Sequence, residues 1–399
     1  MDAAPSWLAP PPIPASVLHD ALSPSLLILL DRVRHNLAQL LGHLDGRTER
    51  WRPHVKTAKL PEVMAELVRS GVLQFKCATL QEADVLLSVL DAEQVHGDVL
   101  VAMPLNGPNL TELGRLTDHH PRHAVSVLCE NPERVPAIPP GIGVFVDVNV
   151  GMNRTGIEVA ARDRIAAVAR AAGLRLRGLH AYEGHIHDAS PTVRLARTFS
   201  MLAGLDGLWQ HLRGLGLSVP EIVTSGTPTF IEALTWPDAD RWPGTVHRVS
   251  PGTVIYHDVQ YGQLVPELGL LPAALVLARV VSHPTAGVVT LDAGAKSLAA
   301  EQGDPCAVAL GYPHLEALKP SEEHLPLRVH RGTPPPPGTA ILLAPRHVCP
   351  TVNLASHAIL LDGDRVVGVV PVVARGHRPW DDRAPRDSGL RGRGPDSTL

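Results

Sequence analysis

The stretch WRPHVKTAKLPEVMAELVRSGVLQFKCATLQEADVLLSVL, residues 51–90, holds the pattern that decides the fold. WRPHVKT (51–57) is a short extended run, and PEVMAELVRSG (61–71) has helical spacing. QFKCAT (74–79) and LQEADVLLSVL (80–90) repeat the pair. Extended runs followed by helices are the sequence form of βα units, whose strands lie parallel. The alternation continues in both directions. SLLILL (25–30) precedes DRVRHNLAQLLGHL, while DVLVAMP (98–104), AVSVLCE (124–130), GVFVDVNV (143–150), LRLRGLHAY (174–182) and EIVTSG (221–226) each precede a helical stretch. Eight such units in series predict an α/β fold, a closed parallel (β/α)8 TIM barrel. An open doubly wound sheet usually carries a G-x-G-x-x-G turn after its first strand, and DRVRHN is not one.

Beyond about residue 265 the pattern changes to strands with short connections: AALVLARVVSH, GVVTLDAG, HLPLRVH, TAILLAP, HAILLDGD and RVVGVVPVVA. These predict a C-terminal antiparallel β domain. The expected division is an N-terminal segment (1–24) packing on the β domain, a barrel (25–265), the β domain (266–377) and a tail (378–399). The tail has almost no apolar content and is expected to be disordered.

Composition narrows the functions. The 399 residues carry 36 Lys and Arg against 40 Asp and Glu, a net charge of −4, with 6 Trp, 4 Tyr and 4 Phe. Neither a basic field nor a stacking surface for nucleic acid is available. Cys77, Cys129, Cys306 and Cys349 form no C-x-x-C pair, so a disulfide framework or zinc ribbon is not indicated. No basic, apolar signal opens the chain, and no apolar run reaches the roughly 18 residues of a membrane span. The expectation is a cytoplasmic protein acting on a small molecule, with no nucleic acid and no membrane as partner.

Three places break the apolar pattern. In WRPHVKT, alternation puts Arg52, His54 and Lys56 on one face, and Lys56 at the strand's C-terminal end, where barrel enzymes place their chemistry. An isolated lysine is more often a surface residue; the H-x-K at a strand end brings the two readings level. EIVTSGTPTF (221–230) and VSPGTVIYHD (249–258) carry Ser225, Gly226, Thr227 and Gly252, Thr253 in hydroxyl- and glycine-rich turns that suit a phosphate, although such turns also serve as caps. In APRHVCPTVN (344–353), His347 and Cys349 are two apart, a pair suited to zinc with open positions left over, or else a buried thiol beside a capping histidine. Glu183, His185 and His187 in YEGHIHD form a competing metal candidate, or proton donors at the mouth.

These segments, with GMNRTG (151–156), DAGAK (292–296) and SEEH (321–324), resemble the D-serine dehydratase and D-threonine aldolase family of alanine racemase-like, fold-type III pyridoxal phosphate enzymes. The resemblance runs from about Ser25 to His377 and implies an alanine racemase-like barrel, a β domain and a homodimer. It implies that Lys56 holds pyridoxal 5′-phosphate, a role an amine performs when neutral, with Arg52 nearby favouring that form. Arg154 then contacts the cofactor's phenolic oxygen and Tyr182 lies beside its ring. Ser225, Gly226, Thr227, Gly252 and Thr253 form the phosphate cradle. His347 and Cys349 match the divalent-metal ligands of the dehydratase branch, for zinc or manganese, where the aldolase branch has an aspartate in place of Cys349. His185 or His187 is a candidate hydroxyl-side base. The implied activity is a lyase on β-hydroxy-D-amino acids, D-serine-type dehydration ahead of D-threonine-type aldol cleavage; a racemase and a non-catalytic cofactor carrier are the alternatives. The family often has K-T-H-K where this chain has Lys56, Thr57, Ala58, Lys59.

Overall fold

The computed structural model describes residues 5–237 and 242–378. Apart from Arg378, the tail expected to be disordered lies outside the described residues. SLLIL folds as β1 (Ser25–Leu29), but it does not enter the barrel. It pairs antiparallel with Ala274–Thr285 and parallel with His357–Asp362 in a separate sheet, which corrects the expected first barrel strand.

The barrel starts instead at the extended residues 51–54 and continues through β2 (Gln74–Cys77), β3 (Asp98–Pro104), β4 (Ala124–Cys129) and β5 (Gly143–Asn149). A two-residue spur, β6 (Ile157–Glu158), hangs on β5; then follow β7 (Leu176–His180), β8 (Glu221–Thr224) and β9 (Val246–Val249). Every pairing in this sheet is parallel. Bridges from Trp51 to Val249 and from His54 to Lys76 close the ring. The closing strand VHRV escaped the sequence reading because its two valines are separated by His247 and Arg248, leaving no apolar run.

Helices α1 (Ala15–Asp20), α2 (Leu30–His43), α3 (Pro61–Arg69), α4 (Leu80–Ala92), α5 (Pro108–His119), α6 (Arg162–Ala172), α7 (Pro191–Gly214) and α8 (Phe230–Leu234) precede β9 in the chain. α9 (Val259–Leu264) and α10 (Val348–Leu354) follow it. The start of α4 shows the local logic: Thr79 accepts from the Glu82 N–H at 3.0 Å, and Glu82 accepts from the Ala78 N–H at 2.7 Å, a reciprocal cap.

The second sheet contains β10 (Ala274–Thr285), β11 (Val288–Leu291), β12 (Ala307–Ala309), β13 (Leu315–Ala317), β14 (Leu325–Val329), β15 (Ala340–Pro345), β16 (His357–Asp362) and β17 (Arg365–Pro371). Its order is β13-β14-β11-β10-β1-β16-β17, with β15 on β10 and β12 on β15. Only the β1–β16 pair is parallel. Trp7 and Val17 pack against Leu27, Leu275, Leu277 and Leu342, and Arg279 donates to the Leu18 and Ala21 carbonyls, so the N-terminal residues lie on this sheet. No helix among the described residues is long and apolar enough to cross a membrane.

The lumen is layered, as side chains of a closed barrel must be. At the strand starts, Arg52 bonds Glu221 and Asp98. Above it Leu100, Leu128, Phe145 and Val223 form an apolar plug. One alternation step further along β5 stands Asp147, which meets His180 of β7; this polar layer is the floor beneath the mouth.

Candidate active site

Lys56 sits in the turn that follows residues 51–54, at the C-terminal mouth. Its N–H donates to His54 Nδ1 at 3.3 Å. Burial, with the charges of Lys56 and Lys76, holds the His54 imidazole well below its usual pKa, so that ring is a neutral acceptor. Four bonds fix the turn. Thr57 Oγ1 lies 3.0 Å from Cys349 Sγ, the Tyr256 hydroxyl donates to the Ala58 carbonyl at 2.7 Å, and Lys59 Nζ reaches Glu82 at 2.7 Å and the Ala374 carbonyl at 3.2 Å. Ala58 is fully buried, so the position that often carries histidine is here a packed core site. Arg52 is not part of this neighbourhood. Its guanidinium is spent on Glu221 and Asp98, which begin β8 and β3 at the opposite end of the barrel; the expectation that Arg52 acts on Lys56 is corrected.

Tyr182 follows β7 at the mouth. Arg154 lies 5.0 Å over its ring and Lys76 Nζ 5.6 Å from its centroid. Burial and then Glu183 push its phenol up to about 12. Lys76 also lies 3.5 Å from His180 Nε2, whose Nδ1 bonds Asp147 at 2.8 Å. The sequence reading passed over Lys76, His180 and Asp147. Its signal was available: a lysine inside QFKCAT is as anomalous in a barrel strand as Arg52 in WRPHVKT.

The two hydroxyl-rich turns follow β8 and β9, neighbours in the sheet. Glu183, considered above as a metal ligand, is instead buried beneath the first turn, where it accepts from the Ser225 N–H at 3.1 Å and from the Thr229 hydroxyl. Ser225 is held at φ 69° and its N–H is committed to Glu183, so it serves the cradle only through its hydroxyl, which lies 3.0 Å from Thr224 Oγ1. The N–H groups of Gly226, Thr227, Gly252 and Thr253 bond nothing among the described residues. Four free N–H groups on adjacent loops are an anion cradle. The glycines are required by contact. A Cβ on Gly252 would fall 2.5 Å from the His54 carbonyl oxygen, and one on Gly226 would fall 3.2 Å from Tyr182 Cε2. A primary amine, a ring-sized wall and an anion cradle at one mouth fit pyridoxal phosphate.

His347 precedes α10 and Cys349 lies in its first turn. Burial disfavours the Cys349 thiolate, but His347, Lys56 and Thr57 together bring its pKa below the usual thiol range. Cys349 Sγ is also 3.5 Å from Thr253 Oγ1. His347 Nδ1 bonds Glu301, a residue that no motif announced. Among the described residues no group of three or more His, Cys, Asp or Glu side chains converges as a metal cage. Imidazole and thiolate side by side could hold one divalent metal with open positions. Glu183, His185 and His187 do not converge: Glu183 faces inward and His187 is exposed. His185 lies against Gly151 in a cleft with Val159, Arg197 and Met201, and the charges acting on it are Arg197, His187 and Asp188 rather than Lys56. No hydrogen bond among the described residues joins His185 to Lys56, His347 or Cys349.

Comparison with known proteins agrees with this architecture. Residues 28–259 match the alanine racemase N-terminal domain, and residues 273–361 match a serine dehydratase domain. A D-threonine aldolase from Arthrobacter sp. is 27% identical over 384 residues, covering 92% of this chain and 97% of that protein. A D-threo-3-hydroxyaspartate dehydratase from Delftia sp. is 25% identical over 292 residues, covering 70% and 73%. The crystal structure of D-threonine aldolase from Filomicrobium marinum, 28% identical, superposes with a TM-score of 0.76 over 90% of this chain and 96% of that one. With its first match spanning more than half of the sequence, the chain belongs to the alanine racemase N-terminal domain family of pyridoxal phosphate-dependent, fold-type III proteins.

Proposed function

We propose that the protein is a pyridoxal phosphate- and divalent-metal-dependent lyase acting on β-hydroxy-D-amino acids, with D-serine-type dehydration as its reaction. The supporting observation is the position of Cys349: its Sγ lies 3.0 Å from Thr57, beside Lys56, and 3.5 Å from Thr253 in the anion cradle. Amine, metal pair and cradle thus share one mouth.

In this reading Lys56 holds the cofactor, Gly226, Thr227, Gly252 and Thr253 bind its phosphate with Ser225, and Tyr182 and Arg154 flank its ring. Bound there, pyridoxal phosphate supplies an electron sink for negative charge at Cα. Zinc on His347 and Cys349 supplies Lewis-acid stabilisation of the substrate hydroxyl. Once the substrate amine has displaced it from the cofactor, Lys56 Nζ would take the Cα proton while the β-hydroxyl leaves as water, and hydrolysis of the released imine would give a keto acid and ammonia. The apolar plug and Tyr182 keep water from the underside of the site.

Aldol cleavage to glycine and an aldehyde is the second reading. It is supported by the Arthrobacter relative, whose similarity extends over 92% of this chain. Cys349 supports dehydration, because the aldolase branch tends to an aspartate there. A racemase leaves His347 and Cys349 without a role. The test is a product assay on D-serine, D-threonine and D-3-hydroxyaspartate with pyridoxal phosphate and zinc supplied. Keto acid with ammonia supports dehydration; glycine with aldehyde assigns the second reading; interconversion of enantiomers alone refutes both.

A further inference from the structure

Lys76 is 3% exposed, and no carboxylate of the described residues comes within ion-pair distance of it. A buried amine without a counter-anion is costly, and neither barrel closure nor the plug requires one. Among the described residues its Nζ bonds only His180 Nε2, at 3.5 Å, and lies 5.6 Å from the centroid of the Tyr182 ring. The groups around it are Lys56, Arg154 and Arg52, which repel its charge, Glu183, which favours it, and the imidazoles of His54 and His180. Burial and then Lys56 lower its pKa to about 7, so the amine stands ready to change charge.

The strand order says which anion it awaits, on the reading that the site takes pyridoxal phosphate. That molecule carries its phosphate arm, its aldehyde and its phenolic oxygen on consecutive ring carbons. The barrel carries the cradle after β8 and β9, Lys56 after residues 51–54, and Lys76 on β2, and these strands are consecutive. With the phosphate in the cradle and the aldehyde at Lys56, the phenolic oxygen turns towards β2.

We propose that Lys76 is a second cation for the cofactor's phenolic oxygen, beside Arg154, and that Lys76 takes a proton from solvent as the cofactor binds. The Asp147–His180 pair positions the amine from behind.

The test uses the full chain freed of cofactor and 4-deoxypyridoxine 5′-phosphate, which lacks the aldehyde and cannot bond to Lys56. Calorimetry at pH 8 in two buffers of different ionisation heat gives both affinity and protons taken up. Wild type is expected to take up more protons per site than either variant, by up to one. Lys76→Met, which fills the same buried space without charge, is expected to bind about 10- to 100-fold more weakly and to lose that uptake. Lys76→Arg, charged throughout, is expected to keep the affinity and lose the uptake, and it carries the test if the Met variant does not fold. Equal affinity and equal uptake in wild type and variants overturn the role of Lys76. No binding by wild type overturns the cofactor reading itself, and this inference with it.

Discussion

Thr57 Oγ1 and Cys349 Sγ stand 3.0 Å apart, which joins the turn that carries Lys56 to the helix that carries the thiol. The contact is between residues 292 apart in sequence, so the barrel mouth is completed by the chain beyond the barrel. The His347–Cys349 pair proposed to hold the metal is therefore positioned by packing of α10 against that turn, and its behaviour is measurable independently of turnover.

Zinc binding is the first consequence. His347→Ala and Cys349→Ala each remove one of two protein donors and are expected to lose stoichiometric zinc. Glu301→Gln keeps both donors but weakens the anchor on His347 Nδ1, and is expected to lower zinc affinity about 10- to 100-fold. Competition with a chelator measures all three; zinc retained equally in every variant counts against the site.

The lower end of the barrel should respond in the opposite way. Arg52→Met removes the buried cation that Glu221 and Asp98 share, leaving each with one outer arginine, Arg248 and Arg177, and is expected to cost about 1–3 kcal/mol of stability. Cofactor loading at low temperature is expected to stay as in wild type, because Arg52 lies beyond the plug from Lys56. A denaturant titration beside a visible spectrum checks both halves.

Gly252→Ala tests the cradle. The added methyl would press on the His54 backbone 2.5 Å away, in a place where no flexible side chain can yield. A shift of the loop after β9 costs about 1–3 kcal/mol and misplaces the Gly252 and Thr253 N–H groups. The expected result is weaker retention of pyridoxal phosphate on dialysis; unchanged retention removes this loop from the cradle.

Acid should destabilise the fold through His247. Its ring is buried with Nε2 2.8 Å from Thr224 Oγ1, and burial pushes its pKa down to about 3 from an ordinary 6.5. A histidine with a depressed folded pKa binds its proton on unfolding. The stability it secures is complete above about pH 6.5 and is lost as pH falls towards 3, by about 2 kcal/mol at pH 5. His247→Asn is expected to lose less stability than wild type between pH 7.5 and pH 5.0 in chemical denaturation; an equal loss excludes His247 as the cause.

The strand-and-helix alternation was legible because burial on both faces makes barrel strands apolar runs. It misled twice for the same reason: SLLIL is apolar because it is buried in the second sheet, and VHRV is not apolar although it closes the barrel. Lys56, His347 and Cys349 were singled out as candidates by their motifs, but their proximity was not legible, since it depends on contacts such as Thr57–Cys349. Glu183 shows the other limit: a carboxylate beneath a backbone turn becomes visible only when its partners are known, whereas Lys76 carried a signal as a lysine inside an apolar strand. His185 resembled a base in sequence, and only the turn after Tyr182 determines that it faces α7 residues such as Arg197 and Met201.

On the proposed reading Lys56 is the amine that carries the cofactor. The most direct test is borohydride reduction of the pyridoxal phosphate-loaded protein followed by peptide mass mapping. The label is predicted on Lys56. A label on Lys76 or Lys59 instead, or no labelled peptide at all, would rule out Lys56 as the carrier.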